Sequence, residues 1–192
     1  MSNARNLANL LGTGTTVPAA AVNNASLNNV TTLPAGVGGK VLQVQSTTKT
    51  DVFSDASTAS DITGLSLTIT PASTSSKILV IAQVHIHGAN AGTGIRLVRG
   101  STALGLGDAA GSRTRSTMAG FYSSLASPDQ YSSGANHINY LDSPNTTSAT
   151  TYKLQGGTIN GSTYYINQTY YNQDNNNANR CSSTLTLMEI AA

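Results

Sequence analysis

The chain has 192 residues, a single cysteine and a formal net charge of +2, a length that suits one domain with a real core plus an appendage. Only 9% of its residues are charged, against roughly 25% in an average soluble protein, so neutral Ser, Thr, Asn and Gly must carry solubility, as on many extracellular or virion-surface β proteins. The basic residues are scattered, with Arg113-Thr114-Arg115 the one close pair, which excludes the concentrated basic face of a nucleic-acid binder; no apolar run approaches the roughly 18 residues that membrane insertion requires.

Residues 1–38 contain no segment able to form a core of its own. Leu7, Leu10 and Leu11 share one face at helical spacing, with Ser2 or Asn3 as a cap. A helix of two or three turns is marginal alone in water. Gly12-Thr13-Gly14 stops it, and the Ala-, Asn- and Thr-rich stretch that follows, punctuated by Pro18 and Pro34, cannot bury enough apolar surface to offset its ordering entropy. The expectation is a docking arm, a short helix on an extended strap, held by a sister subunit or another protein. The start of the chain has neither the charged leader nor the apolar stretch of a secretory signal, so folding in a cytoplasm is expected and Asn-x-Ser/Thr sites such as Asn160-Gly161-Ser162 carry no glycosylation meaning.

From residue 39 to 192 the pattern has period two. Val41-Leu42-Gln43-Val44-Gln45 opens the domain, and Leu65, Leu67 and Ile69 alternate against Ser66, Thr68 and Thr70, one face core and one face wet. After a turn at 71–76, residues 77–87 run apolar on both faces before becoming one-sided, which predicts a central strand. Further strands are expected at 94–99, 102–106, 117–123, 136–142, 151–156, 164–168 and 183–190. About eight to ten antiparallel strands in a domain of this size predict an all-β fold, a jelly-roll-like β-sandwich, with a single-sheet barrel as the other arrangement. Cys181, just before the alternation of the last strand, reads as a structural thiol and permits no intrachain disulfide.

Several short motifs together resemble virion proteins of tailed bacteriophages, in particular small tail-fibre or appendage proteins of phages of aquatic bacteria. They are Asn6-Leu7-Ala8-Asn9-Leu10-Leu11-Gly12, Asp61-Ile62-Thr63-Gly64-Leu65, Ile69-Thr70-Pro71 leading into Ser75-Ser76-Lys77-Ile78-Leu79-Val80, Arg99-Gly100-Ser101-Thr102, Tyr140-Leu141-Asp142-Ser143-Pro144 and Leu187-Met188-Glu189-Ile190. The resemblance implies a virion structural protein, assembled in the host cytoplasm as a homotrimer. Its arm would anchor it to a tail, adaptor or major capsid protein, and its β domain would be displayed for host-surface attachment. The alternative role is a capsid decoration, or cement, protein that bridges and stabilises major capsid subunits; fold alone does not choose between the two.

No catalytic signature is present. The acidic residues are dispersed, so a glycosidase-type pair would need a chance approach such as Asp129 with Asp142, and no Gly-x-Ser-x-Gly elbow precedes a helix. No cofactor is implied: Gly105-Leu106-Gly107-Asp108-Ala109-Ala110-Gly111 lacks the following helix and the Gly-Lys-Ser/Thr ending of a phosphate loop and reads as a glycine-rich turn, with Asp108 and Arg113 placed to form a local ion pair. His85 and His87 point to the same side of one strand and read either as a metal-binding pair, six nitrogens around a threefold axis, or as two polar residues near a strand end. Tyr164, Tyr165, Tyr170, Tyr171 and Asn172 lie in a run of tyrosines interleaved with amides. That is the chemistry of an adaptable recognition surface, suited to a host glycan; the other reading is a hairpin whose Tyr164 or Tyr165 packs inward beneath a solvated Asn-rich tip.

Overall fold

The alternation in the sequence becomes eleven strands in the computed structural model, which describes residues 40–89, 92–121, 131–159 and 161–191. They are β1 (Val41–Lys49), β2 (Phe53–Asp55), β3 (Ser60–Ile69), β4 (Lys77–Gly88), β5 (Gly94–Arg99), β6 (Thr102–Leu104), β7 (Met118–Ala119), β8 (Gly134–Asp142), β9 (Thr150–Gly157), β10 (Tyr164–Ile166) and β11 (Ser183–Ile190). The expected arm at 1–38, with Leu7, Leu10 and Leu11, lies outside the described residues.

The strands form two antiparallel sheets. In the first, β8 lines one edge of β4, while β11 and β10 lie end to end along the other, outside them β1 and β2. In the second, the order is β3-β9-β5, with β6 and β7 sharing the far edge of β5. The pairings nest: β1 with β11, β3 with β9, β4 with β8, β5 with β6 and β7. That is one long hairpin folded over on itself, the wrapping of a jelly roll. The predicted β-sandwich is therefore present, with β4 as its central strand. β2 had no signal in the sequence, and the strands expected at 102–106 and 117–123 shrink to β6 and β7.

Between the sheets, Ile78, Val80, Ala82, Val84 and Ile86 of β4, with Leu185 and Leu187 of β11, meet Leu65 and Ile69 of β3, Ile95 and Leu97 of β5 and Leu154 of β9. All are buried, and each large side chain so placed contributes about 1.5–3 kcal/mol of transfer free energy. Tyr164 of β10 spans the layer and its hydroxyl meets Ser60 Oγ at 2.6 Å. Gly156 of β9 makes room for it, because a Cβ there would sit 2.3 Å from the Tyr164 ring. One buried polar group also ties the sheets together: Asp142 Oδ2 on β8 accepts hydrogen bonds from Arg99 Nη1 on β5 and from the Tyr152 hydroxyl on β9, each at 2.6 Å.

Directly paired residues of antiparallel strands share a face, so the register also defines the outer surfaces. Across the first sheet one row reads Val44, Met188, Leu79, Leu141 from β1 through β11 and β4 to β8. Val44 is 50% exposed and Leu141 56%, and beside them Ile81 and the bulged Val41 and Leu42 also face solvent. The next rows turn polar: Ser46, Thr186, Ile81, Asn139, then Thr48, Thr184, Gln83, His137.

Candidate functional site

The far end of that same outer face is aromatic. Alternation along β4 turns Val84 and Ile86 inward and His85 and His87 outward, and β10 places Tyr165 directly beside His87. At Asn167 the chain leaves the sheet and returns only at β11, so residues 167–182 form a loop. Its base is tightly held. Asn167 adopts φ 61°, a left-handed conformation that Asn tolerates better than most residues. Its buried amide donates to Lys49 O at 2.9 Å and Asp51 O at 3.0 Å, and its Oδ1 accepts from Ser183 Oγ at 2.6 Å. Arg180 Nη1 donates to Gln168 Oε1 one step further out.

The pinned loop brings Tyr170 back over the sheet. Its ring stacks on His87 with centroids 6.1 Å apart, while Tyr165 and Phe121 flank the imidazole at 6.4 and 6.3 Å. Tyr165 and Tyr170 meet edge to face at 5.8 Å, as do Tyr131 and Tyr171, geometries in which the positive edge of one ring meets the negative face of another. Tyr165, Tyr170, Tyr171, Asn172 and Gln173 then line an open depression of about 340 Å³. Chemically it offers aromatic faces and phenol hydroxyls beside two amide side chains, a surface able to stack on a flat apolar ring face and hydrogen-bond its hydroxyls.

Of the five residues expected at a recognition surface, Tyr165, Tyr170, Tyr171 and Asn172 are brought together here. Tyr164 is not: it is wholly buried in the core, since alternation along β10 sends it to the opposite face from Tyr165. Gln173 joins them from the same loop and the same run of tyrosines and amides, whereas Phe121 and Tyr131 complete the arrangement without a sequence signal, because they reach it from the distant connection between β7 and β8.

His85 and His87 share a face, as the spacing requires, but meet different neighbours. His87 is fully buried; its Nδ1–H donates to Ser132 O at 2.6 Å, which leaves Nε2 as an acceptor with no hydrogen-bond partner among the described residues. Burial holds its pKa below the ordinary histidine range, opposed by the weaker pull of the Ser132 carbonyl. The pKa of His85 is lowered by burial and then by the neighbouring His137, and its Nε2 lies 3.1 Å from Gln83 Nε2. Among the described residues no group of three or more His, Cys, Asp or Glu side chains is placed to hold a metal ion.

The remaining candidates resolve as structural groups. Asp142 is committed to Arg99 and Tyr152, and Asp129 lies outside the described residues. Cys181 is half-buried and free. The Asp108–Arg113 ion pair does not form; Arg113 Nη1 instead donates to Ala110 O at 3.4 Å, so the turn closes on its own backbone.

No protein-family profile matches the chain, and no curated protein is similar to it. Among solved structures it is similar to a chain from infectious bursal disease virus, Gt strain, at 14% identity over 78% of this chain and 38% of the viral one, with a TM-score of 0.36. A chain from the Gx strain of the same virus matches at 16% identity over 78% and 37%, again with a TM-score of 0.36. The chain thus spans less than two fifths of the length of those viral chains.

Proposed function

We propose that this protein is a structural subunit of a tailed-bacteriophage virion, a homotrimeric fibre or appendage whose arm anchors it and whose β domain is displayed for attachment to the host surface. The observation that carries this reading is the apolar row Val44, Met188, Leu79, Leu141 on the outer face of the first sheet. It crosses all four strand columns and contains no charge; Val44 and Leu141 at its two ends are exposed, and Met188 and Leu79 between them are half-buried. Contiguous exposed apolar surface of this kind marks a contact with another protein, and in a homotrimer the occupant is a sister subunit. The tyrosine depression lies on the same face at the opposite end of β4, six to eight residues along the strand or about 20–26 Å away. One end of the face is thus available for assembly while the other remains free for a receptor glycan.

The same apolar row also suits the second reading, a decoration protein lying on major capsid subunits. Copy number in intact particles separates the two: a small multiple of three or six at the tail supports the appendage, whereas tens of trimers over the head support decoration. For the attachment role, phage carrying Tyr170→Ala and Tyr171→Ala should assemble normally and fail to adsorb; normal adsorption would remove the depression from the receptor contact.

A further inference from the structure

The outer side of the second sheet holds a cleft that the attachment reading does not use. It lies beside β5, where the loop from β6 to β7 folds back, and encloses about 610 Å³, within the roughly 300–1,000 Å³ of sites that bind small molecules. A smaller cavity of about 140 Å³ adjoins it, sharing Gly92, Thr114, Ser116 and Ile159. Arg113 and Arg115 line the larger space and Arg96 the smaller, against one carboxylate, Asp108.

None of these three arginines takes part in an ion pair among the described residues; the pairs there use Lys49, Arg99 and Lys153. Each is instead pinned by one nitrogen to a backbone carbonyl of the same loop. Arg96 Nε donates to Arg115 O at 3.2 Å, Arg115 Nε to Gly107 O at 2.6 Å and Arg113 Nη1 to Ala110 O. Arg96 and Arg115 are held through Nε, so neither terminal nitrogen is used in these bonds, and Arg113 keeps Nε and Nη2 out of its own; guanidinium forks match planar oxyanions. Gly107 lines the cleft, shows no left-handed φ, and an added Cβ would meet nothing within 4 Å. A larger side chain is therefore accommodated there without a clash.

We propose that this cleft binds a carboxylate-bearing saccharide. The arginine forks would take the carboxylate, and the hydroxyls of Thr114 and Ser116 the sugar hydroxyls. A nucleic acid fits less well, because among the described residues no aromatic side chain lines either space to stack a base. The inference is independent of the virion reading, since it concerns a different face and needs no assembly.

The test is calorimetric titration of the full chain with trigalacturonate, maltotriose, inorganic phosphate and a short single-stranded DNA. Trigalacturonate should bind and maltotriose should not. Arg113→Gln and Arg115→Gln should each weaken binding about tenfold. Gly107→Val, which fills the cleft from a position where a Cβ meets open space, should abolish binding while the thermal midpoint stays unchanged. No binding of trigalacturonate, or full binding by Gly107→Val, overturns the proposal. So does binding of maltotriose, phosphate or DNA as tight as that of trigalacturonate, the last pointing to a nucleic-acid contact instead.

Discussion

The outer faces of the two sheets follow the same strand alternation and carry different chemistry. On the second sheet, the rows Ser66, Lys153, Val98, Ala103 and Asp61, Gln155, Arg96 mix hydroxyls, amides and charge. Asp61 there accepts from Lys153 Nζ and Gln155 Nε2, each at 2.7 Å. On the first sheet, the row Val44, Met188, Leu79, Leu141 has no polar member at all. Water solvates the second face well and the first poorly. The difference teaches that β4, apolar at both Ile78 and Leu79, answers two demands: Ile78 fills the core, while half-buried Leu79 continues an apolar row across the outer face.

The contrast can be broken with a charge. Leu141→Glu should reduce the proposed trimer to monomers in sedimentation analysis, since an unpaired charge left in an interface costs about 3–5 kcal/mol, while the thermal midpoint of the isolated domain barely moves. Ser66→Glu on the other sheet should leave assembly intact; equal effects from both substitutions would mean that neither face is the interface.

Buried and exposed carboxylates should differ in the same way. Asp142→Ala strands Arg99 and Tyr152 and should cost about 3 kcal/mol in denaturant unfolding. Asp61→Ala removes exposed contacts and should cost less than about 1 kcal/mol. A reversal would mean that the inter-sheet tie is not what joins the layers.

At the aromatic end, pH provides a finer probe. His85 and His87 have folded-state pKa values held down mainly by burial. As pH falls through about 6.5, the ordinary histidine value, the unfolded chain binds protons that the folded one resists, so stability is full above that value and declines towards the depressed pKa values. Glu189 adds a separate loss at lower pH. Burial alone would raise its pKa, but hydrogen bonds led by Gln43 outweigh it and hold the carboxyl below its ordinary range. The stability it contributes is present above the unfolded-state pKa and lost as pH falls through the folded one. His87→Phe should flatten the histidine limb of the stability–pH curve; an unchanged limb would assign it to His85.

Much of this was legible in the chain. Leu65, Leu67 and Ile69 identify a half-buried strand, and residues 77–87 a central one, because period two records which side chains are buried. The run of tyrosines and amides also stood out, and Tyr165, Tyr170, Tyr171 and Asn172 of it gather at one depression. Tyr164 did not separate itself from Tyr165, since its burial depends on Gly156 across the sandwich leaving a space for the ring. Nor did the histidine spacing reveal the ring stack over His87, which is assembled from segments far apart in sequence. The Arg113–Arg115 pair was visible, but Arg96 and the bare Gly107 joined it only through the loop closing on β5.

By itself the sequence determined most of the strands, the all-β sandwich and the neutral polar composition, because alternation and composition are local properties of the chain. Only the tertiary structure decided that the chain wraps as a nested hairpin, that four outward-facing apolar residues fall into one row, and that the tyrosines and arginines gather on different sheets. Those outcomes depend on register, and register is settled by which strand lies opposite, a long-range pairing that no local pattern encodes.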